Sequence, residues 1–216
     1  MICILYEDQD VLAVDKPEGL AVIPERDGTK PCLVTILAQQ MGYRPWVVHR
    51  LDKAVSGVIL FAKNPQAHRY LNGLFEQRKV TKSYLALVHG LVPQDAGTID
   101  RPIRNYGSGR AGVDQVAGKP AVTKYQVLKR YGQFTLLQAE PVTGRRHQIR
   151  VHLFSIGHQI VGDQLYGKKD KNYPRLMLHS HRIGLVLPDG RQQSIQAPLP
   201  SSFQQILAAA QANSPS

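Results

Sequence analysis

The sequence predicts a mixed α/β fold of the α+β kind, a single domain with a largely antiparallel mixed sheet and flanking helices and loops. Its 216 residues, 43% hydrophobic and 20% charged, have the composition of a soluble globular domain. Short apolar segments with strand periodicity outnumber amphipathic helical segments, and β-α-β alternations are few. No internal repeat and no linker composition divides residues 1–216. We therefore expect one hydrophobic core.

The first third of the chain predicts four strands and two helices. The strand segments are CILYED, VLAVDK, WVVHR (46–50) and GVILFAK, and VTILAQQM predicts a short helix. A second helix is predicted over 65–78, because Asn64 is a favourable N-cap and Pro65 suits the first helical position. The apolar residues of this helix recur with helical spacing, namely Ala67, Tyr70, Leu71, Leu74 and Phe75. The segment KSYLALVHG then predicts a strand that ends at Gly90.

The remaining segments continue the same mixture. Residues 101–120 contain four glycines and no apolar run, so we expect a long irregular segment. Strands are predicted at AVTKYQVLKRY and FTLLQAE, followed by a helix from about Arg145 to Ser155 that stops at Gly157. LMLHSHRIGLVL predicts another strand. Residues 199–216 follow the motif-bearing part, with a helix at FQQILAAAQA and an SPS tail expected to be disordered.

The charge distribution indicates a polyanionic partner. The net charge is +11, and residues 41–82 and 142–182 each contain eight Lys/Arg against two Asp/Glu. The rest of the chain is close to neutral. A basic surface of this size most simply binds nucleic acid, although a solvated basic surface without a partner has the same composition.

Several classes of protein and site are disfavoured. The acidic residues within MICILYEDQD come too early for a signal peptide, and no apolar run could span a bilayer, so we expect a cytoplasmic location and no membrane partner. Two cysteines without CxxC spacing disfavour a disulfide framework and a thiolate zinc site. His147 and His152 are five residues apart, whereas a zinc pair on a helix prefers four. We expect neither a metal nor a cofactor.

Two segments carry candidate chemistry. In HRLDK, Arg50 and Asp52 are two residues apart, so in an extended segment both project to one side, and Ser56-Gly57 then allows a turn. An Arg–Asp pair that merely joins a loop fits the same pattern. In TGRRHQIRVHLFSIG, helical spacing places Arg146 and Arg150 on one face. The opposite, core-facing stripe would consist of Ile149, Leu153 and Ile156. A solvated basic face is again the alternative.

Taken together, the motifs resemble the RluA-type family of RNA pseudouridine synthases, in the form that lacks an S4 domain. The matching segments, in chain order, are EDQDVLAVDKPEGLAV, HRLDKAVSGVILFAK, KSYLALVHG, KPAVTKYQVL, TGRRHQIRVHL, HQIVGDQLYG and LMLHSHRIGLVLP. They cover about residues 4–198, and the combination of HRLD with GRxHQIRVHL is highly specific. The resemblance implies a pseudouridine-synthase catalytic domain.

The resemblance also implies residue roles. Asp52 is similar to the catalytic aspartate of the family, Tyr84 to its active-site tyrosine and Arg150 to the basic residue that pairs with the aspartate. Arg50 is similar to the arginine that occupies the gap left by an extruded base. The other residues expected to bind RNA are His49, Lys53, Lys82, Arg145, Arg146 and His147.

The implied reaction is an isomerisation: the N1–C1′ bond of uridine breaks, the base rotates, and it rejoins through C5. There is no net redox change and no group donor, so no cofactor is required. An aspartate with an ordinary pKa of roughly 3.9 is ionised at neutral pH and can attack C1′ or remove a ribose proton, two routes that stay open. The expected partner is structured RNA, a stem-loop of tRNA or of large-subunit rRNA. A monomer is the default expectation.

Two other classes of protein share part of this pattern. A non-catalytic RNA-binding protein would have the same basic windows, but a carboxylate at Asp52 would weaken its phosphate binding. A metal-dependent nuclease would need further carboxylates close to Asp52, and the 41–82 window supplies only Glu76 in addition.

Overall fold

The computed structural model describes residues 1–25, 30–107, 109–167 and 172–212. These residues fall into two compact units, Met1–Lys82 with Ser180–Pro198 and Ser83–His179 with Leu199–Ser216. The mixed α+β class and the mostly antiparallel pairing predicted from the sequence are confirmed. That residues 1–216 act as a single domain stays a prediction.

Twelve strands and four helices are found in the described part of the chain. The elements up to the middle of the chain are β1 (Cys3–Glu7), β2 (Val11–Lys16), α1 (Leu33–Met41), β3 (Trp46–Val47), β4 (Ser56–Ala62), α2 (Pro65–Glu76), β5 (Thr81–His89) and β6 (Ala96–Asp100). They are followed by β7 (Ile103–Asn105), β8 (Ala111–Val113), β9 (Val122–Tyr131), β10 (Phe134–Pro141), α3 (Gln148–Ser155), β11 (Leu178–Val186), β12 (Gln192–Gln196) and α4 (Ser201–Ala212).

The first unit is a sheet covered by α2. Its strand order is β1-β2-β4-β11, with β12 pairing with β11 and β3 with β4. Every residue of β4 is buried, as its continuous apolar sequence leads one to expect. The helix α2 contributes Ala67, Leu71 and Leu74 to a core that also contains residues of β2, β4 and β11. This packing fixes the position at which β4 begins, directly after the HRLDK segment.

Local signals predicted α2 well. The side chain of Asn64 accepts a hydrogen bond from the backbone N–H of Ala67, and Pro65 opens the helix. The helix ends at Glu76, two residues earlier than predicted, and Arg78 lies in the left-handed region at φ 57°. The short helix α1 and the terminal helix α4 are also confirmed. The predicted disordered tail at 214–216 lies outside the described residues.

The second unit contains a four-stranded antiparallel order, β5-β10-β9-β6, and a separate hairpin of β7 and β8. The hairpin corrects the sequence prediction, which placed an irregular segment at 101–120. The backbone groups of Ile103 and Lys119 bond to each other, and the carboxylate of Asp114 accepts hydrogen bonds from Val116 and Ala117. These contacts fold a glycine-rich stretch whose strands, three residues each, are too short to show periodicity.

Two further strand predictions were incomplete. WVVHR is a strand over Trp46–Val47 and not as far as Arg50, because the next N–H of β4, that of Leu60, donates to the imidazole Nε2 of His49 (3.0 Å) and not to a backbone carbonyl. The sequence reasoning also missed β6 and β12, which are polar at most positions and lack an apolar run.

Candidate active site

Asp52 lies in a turn that precedes β4. The backbone N–H of Val55 donates to the carbonyl of Asp52 at 3.0 Å, which closes the turn, and the Asp52 residue is half-buried. Leu51 beside it is buried and anchors the segment. The predicted Ser56-Gly57 turn is instead the beginning of β4. Gly57 has φ 111°, and a Cβ atom there would collide with the backbone of Ser180, so glycine is required for the close approach.

The fully buried Lys16 holds the turn around Asp52 through hydrogen bonds to backbone carbonyls. The Nζ of Lys16, at the end of β2, donates to the carbonyls of Pro17 (2.8 Å), Leu20 (2.8 Å) and Lys53 (3.1 Å). Three carbonyl acceptors satisfy all three protons of the ammonium. The backbone N–H of Gly19 also donates to the Lys53 carbonyl. The chain after β2 and the chain around Asp52 are therefore joined through one amine.

Electrostatics connect Lys16 to Asp52. Burial lowers the pKa of Lys16 to about 8, and the negative charges of Asp52, Glu18 and Asp15 act in the opposite direction. A buried ammonium of this kind stabilises nearby negative charge. The sequence reasoning missed Lys16. Its position within VLAVDKPEG, directly before a turn, gives no sign that the side chain would point inward.

His49 has a structural contact. Its ring stacks on Phe75 with the centroids 4.7 Å apart and accepts the Leu60 N–H. Burial, with a smaller effect of the Lys82 charge, lowers the pKa of His49 to about 3, so the ring is neutral at pH 7. Burial also lowers the pKa of Lys82. These contacts favour a role for His49 in shaping the turn, and its role in RNA binding stays a prediction.

The flanking cations Arg50 and Lys53 are exposed to solvent. The ammonium of Lys53 pairs with Glu25 at 2.8 Å. An exposed pair of this kind contributes little to stability, so it can be exchanged for a contact to a phosphate. The RNA-binding role of Arg50 and Lys53 stays a prediction.

In the second unit, Tyr84 lies on β5 and is 9% exposed. Its strand neighbour is Ala139 of β10. The adjacent Ser83 is also buried. The pairing of β5 with β10 fixes the backbone from which the Tyr84 side chain projects.

The TGRRHQIR segment differs from its prediction. The helix α3 begins at Gln148, not near Arg145, because His147 adopts a left-handed conformation at φ 54°. Arg146 therefore precedes the helix and cannot share a helical face with Arg150, which corrects the sequence prediction. Arg146 is exposed, and Arg145 and His147 are half-buried.

Gln148 explains why the helix begins there. Its Oε1 accepts hydrogen bonds from the hydroxyl of Thr143 (2.6 Å) and the backbone N–H of Arg145 (3.0 Å). Its Nε2 donates to the Val122 carbonyl (2.9 Å) and the Thr123 hydroxyl (3.0 Å). All four hydrogen-bonding positions of this buried amide are used.

Arg150 is 7% exposed and held by a second buried charge. Its Nε and one Nη donate to the two carboxylate oxygens of Asp163, both at 2.8 Å. Its guanidinium lies over the ring of Tyr166, 5.0 Å from the centroid. This bidentate arrangement fixes the plane of the guanidinium. The solvated basic face considered for this helix is excluded at Arg150, because α3 is buried on several sides.

The sequence reasoning missed Asp163 and Tyr166. Both belong to the segment HQIVGDQLYG, which the resemblance included without giving roles. Asp163 is 2% exposed and also accepts the backbone N–H groups of Leu165 and Tyr166. A sequence signal existed, since an Asp in a glycine-flanked segment often accepts a hydrogen bond from the backbone two residues on, as Asp163 does from Leu165.

The described residues contain no cluster of three or more His, Cys, Asp or Glu side chains suited to a metal ion. Across the same residues, no helix has the length and apolarity that a membrane span requires.

Comparisons with known proteins decide the family. Residues 10–155 match the model of the RNA pseudouridylate synthase family, a range that contains Asp52, Tyr84 and Arg150. The chain belongs to the RNA pseudouridylate synthase family. As a member, this pseudouridine synthase domain is an isomerase that acts on RNA.

Individual relatives agree. The pseudouridine synthase domain is 45% identical over 188 residues to a protein of Aquifex aeolicus named uncharacterized RNA pseudouridine synthase, covering 82% of this chain and 60% of that one. It is 38% identical over 222 residues to ribosomal large subunit pseudouridine synthase D of Nitrosomonas europaea, covering 95% and 64%. The chain thus spans less than two thirds of the length of both relatives.

A solved structure has the same fold. The human protein called RNA Pseudouridylate Synthase Domain Containing 1 superposes with a TM-score of 0.79 at 28% identity. The match covers 100% of this chain and 97% of the human one. The α+β fold and the RluA-type resemblance predicted from the motifs are therefore confirmed.

Proposed function

We propose that this chain converts uridine to pseudouridine in a stem-loop of large-subunit rRNA or tRNA, with Asp52 as the nucleophile or base. The observation that carries the proposal is the turn around Asp52, held by the carbonyl bonds of the buried Lys16 ammonium and flanked by the exposed cations Arg50 and Lys53. A carboxylate on a rigid turn keeps a fixed direction of attack, as covalent or base catalysis requires.

The other site residues take the roles that the family resemblance gives them. Tyr84 stacks on the uracil ring and assists proton removal at C5. Arg150 takes the role of the family's basic residue that pairs with the catalytic aspartate. Arg50 occupies the space that the extruded base leaves. Base extrusion costs a few kcal/mol, and phosphate contacts from the exposed cations offset this cost.

Ribosomal RNA is the first substrate to test, because one relative is named ribosomal large subunit pseudouridine synthase D. The basic windows predicted from the sequence would grip the backbone of either RNA, and a monomer in the cytoplasm is the setting we propose. The surface of the second unit adds exposed Arg104, Tyr106 and Arg110, and the guanidinium of Arg146 lies beside Gly109. Aromatic and guanidinium groups of this kind stack on unpaired bases.

The test uses total cellular RNA, without added metal, and maps pseudouridine at single-nucleotide resolution. We expect the wild-type chain to form pseudouridine and Asp52→Asn to lose more than about a hundredfold in rate, because the amide cannot act as nucleophile or base. RNA affinity should stay the same or rise, since a negative charge is removed.

Asp189→Asn, which changes the same charge in an exposed turn, is the matched control and should keep wild-type activity. Turnover of Asp52→Asn within tenfold of the wild type would refute the catalytic role of Asp52. RNA binding without any pseudouridine would favour the non-catalytic alternative.

A further inference from the structure

Tyr166 is in contact with both Arg150 and the β7–β8 hairpin. Its ring lies under the Arg150 guanidinium, and its backbone N–H donates to the carboxylate of Asp163, which holds that guanidinium. Its hydroxyl accepts the backbone N–H of Ala111, in β8, at 2.9 Å. The same hydroxyl lies 2.7 Å from the Nδ1 of His147. One buried side chain therefore connects a strand of the hairpin with the arginine.

The hairpin packs on this tyrosine through a small apolar cluster separate from the main core. Its buried members are Ile103, Ala111, Ala121, Val151 and Tyr166. Val151 belongs to α3, directly after Arg150. A shift of β8 would consequently move the residues that define the position of Arg150, because packed side chains transmit displacement over short distances.

The outer surface of the hairpin carries exposed basic and aromatic side chains, with Arg104 paired to the Asp114 carboxylate at 3.3 Å. Arg104 and Arg110 are exposed, and Tyr106 is 43% exposed with the Arg104 guanidinium 5.8 Å from its ring centroid. Arg110 directly precedes Ala111, whose N–H bonds to Tyr166. A phosphate held by Arg110 would act on the adjacent residue of β8.

We propose that Tyr166 is a positioning residue that couples RNA contact at the β7–β8 hairpin to the placement of Arg150. RNA bound by Arg110 fixes β8, the Ala111 N–H holds the Tyr166 hydroxyl, and the ring keeps the Arg150 guanidinium in its catalytic plane. The inference rests on the proposed function in that it takes Arg150 as part of the catalytic machinery. It adds that RNA contact at the hairpin helps to hold the arginine in the position that its bonds to Asp163 define.

The test is a double-mutant cycle between Arg110→Ala and Tyr166→Phe, with single-turnover rates measured at saturating enzyme on an RNA substrate identified by mapping. Phenylalanine keeps the ring under Arg150 and removes the hydroxyl that meets Ala111. We expect Arg110→Ala to weaken RNA binding and to lower the saturated rate by about fivefold or more in the wild type. In the Tyr166→Phe background, Arg110→Ala should still weaken binding but leave the already reduced rate unchanged.

Tyr131→Phe is the matched control, since it removes a hydroxyl from another buried tyrosine of the same unit, and it should keep the full effect of Arg110→Ala. Equal effects of Arg110→Ala on the rate in both backgrounds, or no effect in the wild type, would overturn the coupling. A purely structural Tyr166 would lower the melting temperature and give additive rates.

A second readout needs no turnover. The Nε–H of Arg150 is buried in its bond to Asp163, so its NMR signal should be resolved and can be assigned by its loss in Arg150→Lys. An RNA stem-loop should shift this signal in the wild type but not in Tyr166→Phe. If the wild type forms no pseudouridine, the proposed function fails while the signal still decides the coupling. An identical shift in both proteins would overturn it.

Discussion

At the scale of single residues, the candidate site contains several ionisable groups whose protonation is controlled by burial. His49 is the clearest, since burial and the nearby Lys82 lower its pKa to about 3 and its Nε2 must accept the Leu60 N–H. Protonation would turn this acceptor into a donor facing another donor. The neutral ring is therefore part of the folded structure and links the turn before Asp52 to β4.

A pH dependence of stability follows. In the unfolded chain His49 binds a proton near pH 6.5, whereas the folded chain does not until about pH 3, so stability is fully present above pH 6.5 and is lost as the pH falls. We expect His49→Gln, whose amide oxygen can accept the same N–H, to reduce the loss between pH 7 and pH 4.5 by about 2 kcal/mol.

Denaturant unfolding of both proteins at the two pH values measures this difference. As a control, the wild type and His49→Gln should have similar free energies of unfolding at pH 7.5, which would show that glutamine accepts the Leu60 N–H in place of the imidazole. If both proteins lost stability in parallel on acidification, His49 would not be the group responsible.

At the scale of secondary-structure elements, α3 is specified by one side chain. Gln148 binds Thr143 and the Arg145 backbone on one side and Val122 and Thr123 of β9 on the other. These bonds fix the position of α3, which bears Arg150, relative to β9, a strand that begins more than twenty residues earlier in the sequence. Intrinsic helix preference has little part in this, because the helix has only eight residues.

Gln148→Leu should therefore destabilise the protein by at least about 3 kcal/mol, because several buried donors and acceptors lose their partner together. The matched control is Gln138→Leu on β10, whose amide makes an exposed contact to Glu140 and whose loss should cost less than about 0.5 kcal/mol. Denaturation midpoints of the three proteins test the difference. Equal midpoints for the two variants would mean that residues other than Gln148 fix the position of α3.

The elements also show where sequence reasoning succeeds. The cap, proline and apolar spacing of α2 are all local, so the sequence alone predicted the helix to within two residues. The start of α3 depends on Val122 and Thr123, and the end of β3 depends on a hydrogen bond between His49 and Leu60. Such contacts between distant residues leave no periodic trace in the sequence.

In the candidate site, too, some residues could be predicted from the sequence and others could not. The motifs indicated Asp52, Tyr84 and Arg150, and the turn around Asp52 explains why charged residues stand between apolar strands. Lys16, which holds the backbone of the turn around Asp52, and Asp163, which holds the Arg150 guanidinium, could not be identified, because a buried lysine or aspartate depends on partners that only the fold supplies. Sequence patterns thus indicate candidate catalytic residues more readily than the residues that hold them in place.

At the scale of the whole molecule, the charge of +11 sets how RNA is bound. The basic windows and the exposed β7–β8 hairpin suit a compact stem-loop, and a loop uridine is already partly unstacked. We expect an isolated hairpin of roughly 15–20 nucleotides with the target uridine in its loop to be modified nearly as well as the intact RNA. Binding should weaken steeply with salt, because several phosphates are neutralised.

The measurement is kcat/KM on the hairpin and on the intact RNA at one salt concentration. A hairpin of equal length with the target uridine moved into the stem is the control and should react more slowly, since unpairing adds to the cost of extrusion. A deficit of a hundredfold or more on the loop hairpin would show that remote RNA elements or another protein supply recognition.

Because Lys16 is fully buried, its chemical labelling can report how often the turn around Asp52 opens. Its amine is closed off from solvent and bonded to three carbonyls, whereas the neighbouring Lys53 is exposed. An acylating reagent would mark Lys53 at once and Lys16 only during moments when the turn opens. Because burial is what lowers the pKa of Lys16, an opening that exposes the amine returns it to the behaviour of an ordinary exposed lysine, and it is then acylated as Lys53 is. The ratio of the two labels, read by mass spectrometry, thus measures how often the turn around Asp52 opens, with and without RNA.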